Sequence, residues 1–228
     1  MTTLAVLQPG YLPWLGFFDQ LARSDIFIIY DDVQFDKNGW RNRNRVKTDQ
    51  GAHWLTVPVR QKGLTGTAIR HVEIDNNVPW GKKHLATLAQ YYAKAPFAKE
   101  LLPELETLLT GSWPLLVDLD LAVMQRMCHW LGLRPPSIRS SELHIAGERS
   151  ERLLQLCLHF GADRYLSGNA AKEYLDLARF ERHGIAVEWQ EYRHPVYPQL
   201  HGPFVPYLST LDLLLNVGPG SLSILRSG

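Results

Sequence analysis

The opening stretch of this chain constrains its fold most strongly, because a strand pattern, a helix pattern and a second strand pattern follow in quick succession. Residues 4–7 form a short apolar run that ends at Gln8-Pro9-Gly10, which is typical of a strand followed by a turn. Apolar residues then recur at the spacing of one helix face, and residues 26–30 form another apolar run. This order predicts a βαβ unit with two parallel strands.

The rest of the chain predicts an α/β protein with a mainly parallel sheet flanked by helices. Residues 53–59 and 69–74 have strand patterns on either side of a glycine-rich turn, which predicts an inserted antiparallel hairpin. Helical patterns fill about residues 79–133 and predict a helical lobe. We expect residues 1–228 to form one domain.

Beyond residue 133 the patterns indicate a return to alternating strands and helices. Strands are predicted at residues 138–143, 164–166 and 185–189, and helices at residues 151–160 and 171–183. Ser209 and Asp212 are spaced as an N-cap pair ahead of a last helix, which Gly218 is expected to end.

Composition narrows the class of protein. There are 24 Lys and Arg against 23 Asp and Glu, so we expect no large nucleic-acid footprint. The two cysteines, Cys128 and Cys157, lie in apolar helical patterns, which favours reduced thiols and a cytoplasmic protein. No apolar run approaches about 18 residues, so no membrane insertion is expected. The sequence predicts no metal site and leaves the cofactor open.

Polar or aromatic residues follow three of the predicted parallel strands, where ligands bind in open sheets. They are Gln8, Tyr11 and Trp14 after the first strand, Asp31, Asp32 and Gln34 after the second, and Ser167 and Asn169 after a later one. We expect these groups to converge on one rim; the alternative is ordinary turn residues. Adjacent Asp31 and Asp32 would point to opposite faces, so at most one of them reaches a given pocket.

A cationic segment at residues 41–47 is the sharpest charge feature of the sequence. In an extended backbone its basic side chains point to one side and its amides to the other, the members being Arg41, Arg43, Arg45 and Lys47 against Asn42 and Asn44. Such an edge suits a pyrophosphate or another polyanion, and a solvated edge strand is the alternative. Trp40 and Trp54 flank the segment and are suited to stacking on a base or a sugar.

Proline is frequent at residues 194–206, which predicts a long irregular loop of the kind that often carries function. Its candidate site residues are His194, Tyr197 and Gln199. The sequence contains no nucleophile elbow, Walker phosphate loop, dinucleotide fingerprint or paired Cys-x-x-Cys. These absences disfavour serine hydrolases, P-loop NTPases, classical dinucleotide enzymes and zinc ribbons.

Several of these segments together resemble the WbqC-like protein family, from about residue 4 to 218. The matching segments are Gln8-Pro9-Gly10-Tyr11-Leu12-Pro13-Trp14-Leu15-Gly16, Asp31-Asp32-Val33-Gln34-Phe35, Trp40-Arg41-Asn42-Arg43-Asn44, Trp54-Leu55-Thr56-Val57-Pro58, Tyr165-Leu166-Ser167-Gly168, His194-Pro195 with Tyr197 and Gln199, and Leu208-Ser209-Thr210-Leu211-Asp212. The resemblance implies a role in O-antigen or other bacterial polysaccharide synthesis, where an acyl or aminoacyl group is attached to an amino sugar.

The hypothesis from sequence is a transferase that acylates the amine of a nucleotide-activated amino sugar, with a nucleotide sugar and an acyl or aminoacyl donor as small-molecule partners. Asp32 or His194 would take the proton, because only the neutral amine is nucleophilic. One alternative is an ATP-dependent adenylate-forming amide ligase, although Pro13-Trp14-Leu15-Gly16 lacks the histidine of the nucleotidyl-transferase motif that it resembles. The other is a non-catalytic module that binds a sugar or nucleotide in glycan assembly.

Overall fold

The computed structural model describes residues 1–37 and 39–228. Its strands are β1 (Thr3–Leu7), β2 (Ile26–Ile29), β3 (Arg43–Thr48), β4 (Gly51–Thr56), β5 (Ile138–Arg139), β6 (Arg164–Gly168) and β7 (Ala186–Gln190). Its α-helices are α1 (Leu15–Arg23), α2 (Trp80–Tyr92), α3 (Ala98–Leu109), α4 (Leu116–Leu131), α5 (Ser140–Leu143), α6 (Arg149–His159), α7 (Leu177–Arg182), α8 (Thr210–Val217) and α9 (Ser221–Leu225).

A five-stranded parallel sheet in the order β5-β2-β1-β6-β7 forms the centre of the molecule. Strand β1 pairs with β2 on one side and with β6 on the other, in parallel register. The predicted βαβ unit and the flanking helices are therefore confirmed. Helices α2, α3 and α4 occupy the predicted helical lobe.

Alternate residues of the central strands enter two separate apolar cores, one on each side of the sheet. Leu4, Ile28 and Tyr165 pack with the leucines of α6 and with Phe180 of α7, and we call this the α6–α7 side. Ala5, Phe27 and Leu166 pack on the opposite face with α1, the helical lobe, the hairpin and α8, and we call this the α1 side. Because successive side chains of a strand point to opposite faces of the sheet, the position of a residue in its strand decides which core it enters.

The antiparallel hairpin is present, but its strands are β3 and β4. Pairing residues 53–59 with 69–74 was wrong: Ile69–His71 is a 3-10 helix, and only an isolated bridge joins Val59 to Ile74. The buried side of β3 begins with the amide of Asn44 in place of an apolar residue, ahead of Val46 and Thr48. Asn44 donates to the Leu12 carbonyl at 2.7 Å, and just ahead of β3 Asn42 donates to the Val57 carbonyl at 2.8 Å. Because amides take buried positions here, the sequence lacks the apolar alternation by which a strand is recognised.

Two further elements differ from the prediction. The strand expected at residues 138–143 ends after Arg139, and Ser140–Leu143 turns into helix. The helix expected at residues 171–183 is a 3-10 helix, Asn169–Glu173, followed by α7, whose N-cap Asp176 accepts a hydrogen bond from the Arg179 amide. At the end of the chain, Ser209 caps α8 and Gly218 follows it, as predicted.

Among the residues that the structure describes, no helix combines the length and apolar character needed to cross a membrane. Nor do any three His, Cys, Asp or Glu side chains of the described chain gather as a metal site would require.

Candidate functional site

A cavity of about 470 Å³ opens at the carboxyl end of β1 on the α1 side of the sheet. It is lined by Leu7, Gln8, Gly10, Pro13, Trp14, Phe17, Trp40, Arg41, Asn44, Arg45 and Tyr207. The wall joins the loop after β1 to the segment that leads into β3. Two of the predicted clusters, the first rim group and the cationic segment, therefore meet in one place.

Glycine at position 10 allows these two segments to touch. A Cβ at Gly10 would lie 2.8 Å from the Trp40 carbonyl oxygen, too close for any other residue without a backbone shift. Next to it, the Tyr11 amide donates to the Arg41 carbonyl at 2.9 Å. The close backbone approach fixes the position of Arg41 in the cavity wall.

Arg41 presents a buried cation to the cavity. Its Nη1 donates to the carbonyl oxygens of Gln8 at 3.1 Å and Pro9 at 3.3 Å. Burial lowers the pKa of Arg41, and the nearby carboxyl groups of Asp120 and Asp36 oppose that shift. Backbone carbonyls do not neutralise a guanidinium, and the charge of Arg41 is offset in part by its electrostatic interaction with these two carboxyl groups.

Arg45 supplies the second cation of the wall. Its Nη2 donates to the Tyr207 carbonyl at 3.0 Å, and its guanidinium carbon lies 5.4 Å from the Trp40 ring centroid. The Nε–H groups of Arg41 and Arg45 have no hydrogen-bond partner within the described part of the chain. These Nε atoms are themselves buried, but the hydrogen bonds of Arg41 use Nη1 and that of Arg45 uses Nη2. Among the described residues the second terminal nitrogen of each cation is therefore left for an anionic ligand.

Four aromatic rings complete the wall, those of Trp14, Phe17, Trp40 and Tyr207. Trp40 is 43% exposed and Tyr207 49% exposed. The backbone φ of Tyr207 is +58°, a left-handed conformation that non-glycine residues adopt mainly where the surrounding structure imposes it. Sequence reasoning missed Tyr207, and its position directly after the proline-rich loop was the one available signal.

His194 lies behind Tyr207, with ring centroids 5.3 Å apart. Its Nδ1 is 3.0 Å from the Pro195 carbonyl oxygen, which can only accept, so Nδ1 carries the proton and Nε2 holds a lone pair. Burial lowers the pKa of His194, and that hydrogen bond opposes the shift. Its Nε2 has no partner among the described residues. The neutral ring thus has a buried, unpaired basic nitrogen, and Tyr207 lies between the ring and the cavity.

Tyr197 and Gln199, predicted to bind substrate, instead contact the buried carboxylate of Asp212. The Tyr197 hydroxyl donates to it at 2.9 Å and Gln199 Nε2 at 2.8 Å, while Tyr92 of α2 donates at 2.6 Å. Burial raises the pKa of Asp212, and the three hydrogen bonds oppose that shift. Asp212 therefore ties the proline-rich loop to α8 and the helical lobe.

Asp31 and Asp32 lie outside the cavity lining. Asp31 is fully buried and accepts hydrogen bonds from Arg139 and Ser141. Asp32 pairs with Arg152 of α6 and accepts a hydrogen bond from the Ser140 hydroxyl at 2.5 Å. Although burial opposes ionisation, the hydrogen bonds from Arg152 and Ser140 lower the pKa of Asp32 below its ordinary value.

The remaining predicted site residues lie elsewhere. Ser167 is buried two residues after Tyr165 on β6 and therefore faces the α6–α7 side. Asn169 is exposed at the start of its 3-10 helix, and Gln34 lines a separate depression with Phe35 and Gln61. Arg43 stacks over Trp54 outside the cavity lining, at 4.6 Å. The three clusters follow adjacent strands of the parallel sheet, as expected, but it is the first cluster that contributes side chains to the cavity lining.

Tyr11 is fully buried beneath the cavity loop, where its hydroxyl lies 2.9 Å from Nδ1 of His84 on α2. Burial raises the pKa of Tyr11, so the hydroxyl stays protonated and donates a hydrogen bond to the imidazole. Burial likewise lowers the pKa of His84 to about 4, with a backbone hydrogen bond to Thr56 opposing the shift. The pair anchors the cavity loop to the helical lobe.

This pair predicts acid sensitivity. The His84 pKa is about 4 in the folded state and about 6.5 when unfolded, so the unfolded chain binds the extra proton first as the pH falls. His84 should therefore contribute about 3 kcal/mol that is present above pH ~6.5 and is lost on acidification to pH ~4. Urea unfolding of the wild type and His84→Gln across this range tests the prediction. Equal slopes of stability against pH in both proteins would contradict it.

The fold and this cavity define an α/β protein of the open parallel-sheet class, with a cationic and aromatic ligand cavity at the carboxyl end of its central strand. The sequence model of the WbqC-like protein family matches residues 8–224, and the chain belongs to that family. It is also 39% identical, over 99% of its own length and 98% of the other's, to the "Uncharacterized protein Rv1507c" of Mycobacterium tuberculosis (strain ATCC 25618 / H37Rv). No solved structure matches the chain.

Proposed function

We propose that this protein transfers an acyl or aminoacyl group onto the amine of a nucleotide-activated amino sugar during O-antigen or other polysaccharide synthesis. The observation that carries the proposal is the pairing of two incompletely satisfied guanidinium groups, Arg41 and Arg45, with aromatic rings in one cavity. Guanidinium groups are suited to binding a diphosphate, and aromatic rings are suited to binding a sugar or a base. The buried free thiols of Cys128 and Cys157 support a cytoplasmic site of action as part of the same proposal.

The size of the cavity agrees with such a ligand. Its volume of about 470 Å³ lies within the usual range for small-molecule sites, roughly 300–1,000 Å³. Arg41 lies deep, against the Gln8 and Pro9 carbonyls, whereas Arg45 lies beside the half-exposed Trp40 and Tyr207. We assign the two phosphates to Arg45 and Arg41 in that order from the opening inward.

We assign the proton transfer to His194. The substrate ammonium gives one proton to Nε2, the freed amine lone pair attacks the acyl carbonyl carbon, and a C–N bond forms. The bond from that carbon to the donor's leaving group breaks, and the leaving group takes its electrons and a proton. The Tyr207 ring has to move aside for the ammonium to reach Nε2. Asp32 has both carboxylate oxygens engaged by Ser140 and Arg152, so it has no part in this step.

Replacing Arg45 tests the anion site. Because a hydrogen bond to a charged group contributes about 1.5–3 kcal/mol, Arg45→Ala should weaken binding of uridine diphosphate roughly ten- to a hundredfold. Arg45→Lys should recover part of that loss, since it restores the charge without the planar donor pair. Isothermal titration calorimetry at one fixed salt concentration measures the effect.

Arg60→Ala is the matched control, because Arg60 is exposed and pairs with Glu73 outside the cavity lining. Unchanged uridine diphosphate affinity in Arg45→Ala, or an equal loss in Arg60→Ala, would contradict the proposal. Binding without turnover across a panel of acyl donors would favour the non-catalytic module. Exchange between ATP and pyrophosphate that depends on a carboxylic acid would favour the ligase.

A further inference from the structure

Trp40 and Trp54 form an exposed aromatic pair at the cavity mouth. Their ring centroids are 5.0 Å apart with the planes tilted by 42°, and the two residues are 43% and 40% exposed. Two indoles that are nearly half exposed to water lose part of the hydrophobic stabilisation that burial in the core would give them. Two adjacent exposed indoles offer a flat aromatic surface on which the ring of a ligand can stack.

Cations of strand β3 hold the pair in place. Trp54 lies directly opposite Arg45 in the register of the hairpin, and the Arg45 guanidinium carbon is 5.6 Å from the Trp54 centroid. Arg43 stacks over the same indole at 4.6 Å. Because cation–π contacts from two arginines fix the orientation of Trp54, the ring is ready to receive a ligand with little loss of its own freedom.

The pair is continuous with the cavity. Trp40 lines the cavity and contacts Trp54, whereas Trp54 itself is outside the lining. The Arg45 guanidinium lies between 5 and 6 Å from both rings while also lining the cavity. A phosphate on Arg45 therefore has the cavity on one side and the two indoles on the other.

Resting on the proposed function, we propose that the Trp40–Trp54 pair is the nucleobase subsite of the nucleotide sugar. The base stacks on the exposed indole surface, the diphosphate lies on Arg45 and Arg41, and the amino sugar points into the cavity toward His194. Stacking accepts every base, since each has a π-face. The subsite should therefore bind uridine, cytidine and guanosine diphosphates with affinities within about tenfold of one another.

The test is the affinity of Trp54→Ala for two probes: uridine diphosphate, which carries the nucleoside and two phosphates but no amino sugar, and glucosamine 1-phosphate, which carries the amino sugar and one phosphate but no nucleoside. Calorimetry should show uridine diphosphate bound about tenfold or more weakly than by the wild type, and glucosamine 1-phosphate bound equally well by both proteins. Trp54→Phe should recover part of the affinity for uridine diphosphate. Trp54 is exposed, so its removal leaves the core intact, and circular dichroism verifies the fold.

Tyr174→Ala is the matched control, because it removes a ring of similar exposure (47%) from the α6–α7 side of the sheet. Unchanged uridine diphosphate affinity in Trp54→Ala would overturn the subsite and leave the proposed function standing. Equal weakening of both probes would also overturn it, because the ring would then act only by holding Arg45. If the wild type bound neither probe, the proposed function itself would fail.

Discussion

His194→Ala should lower acyl transfer by about a hundredfold or more while leaving the affinity for the nucleotide sugar nearly unchanged. A positioned general base typically contributes about 10²–10⁴ in rate, and this ring contacts Tyr207 without lining the cavity itself. The measurement is steady-state turnover together with calorimetric affinity for the same nucleotide amino sugar. A loss confined to affinity would contradict the assignment of Nε2 as the base.

The dependence of turnover on pH tests the same assignment of His194 as the base. Burial lowers the pKa of His194, so the imidazole stays neutral at pH 7 and becomes protonated only below the ordinary histidine value of about 6.5. Turnover should therefore fall on acidification through that lowered pKa. His201→Asn is the matched control from the same loop, because His201 is exposed and has a φ of +62° that asparagine tolerates. This variant should change neither the turnover nor its dependence on pH.

Asp212→Ala should destabilise the protein by about 3 kcal/mol or more, because it leaves buried donors of Tyr92, Tyr197 and Gln199 without their shared acceptor. Asp212→Asn retains one acceptor oxygen and should cost less. Urea denaturation of the three proteins measures the differences. A free energy of unfolding within about 1 kcal/mol of wild type for Asp212→Ala would show that the network is dispensable.

The parallel sheet was predictable because its strands are apolar runs bounded by turn residues, as at residues 26–30. The hairpin partner was not, because Asn44 of β3 and Asn42 just ahead of it bury amides where the pattern requires apolar side chains. Strand β5 was predicted to be longer than it is for a related reason. Its sequence continues with Ser140 and Ser141, whose hydroxyls bind Asp31 and Asp32 at the start of a helix.

The candidate site was predictable where chemistry is concentrated in one segment. Arg41 and Arg45 were identified from alternation and charge, and Trp40 as the aromatic residue that flanks them; all three line the cavity together with Gln8 and Trp14. Asp32 and Ser167 could not be assigned to a face of the sheet in this way. The carboxyl edge of a sheet is shared by two faces, and which face a side chain takes depends on the pleat and the neighbouring helix. Arg152 of α6 draws Asp32 to the other side.

The central claim is that the cavity binds a nucleotide amino sugar and acylates its amine. Its most direct test is mass spectrometry of nucleotide amino sugars incubated with the purified protein and a panel of acyl and aminoacyl donors. We expect a product whose mass rises by that of the acyl group less one hydrogen, formed at similar rates by the wild type and by His201→Asn and about a hundredfold or more slowly by His194→Ala. No mass change with any donor, or equal product with His194→Ala, would contradict it.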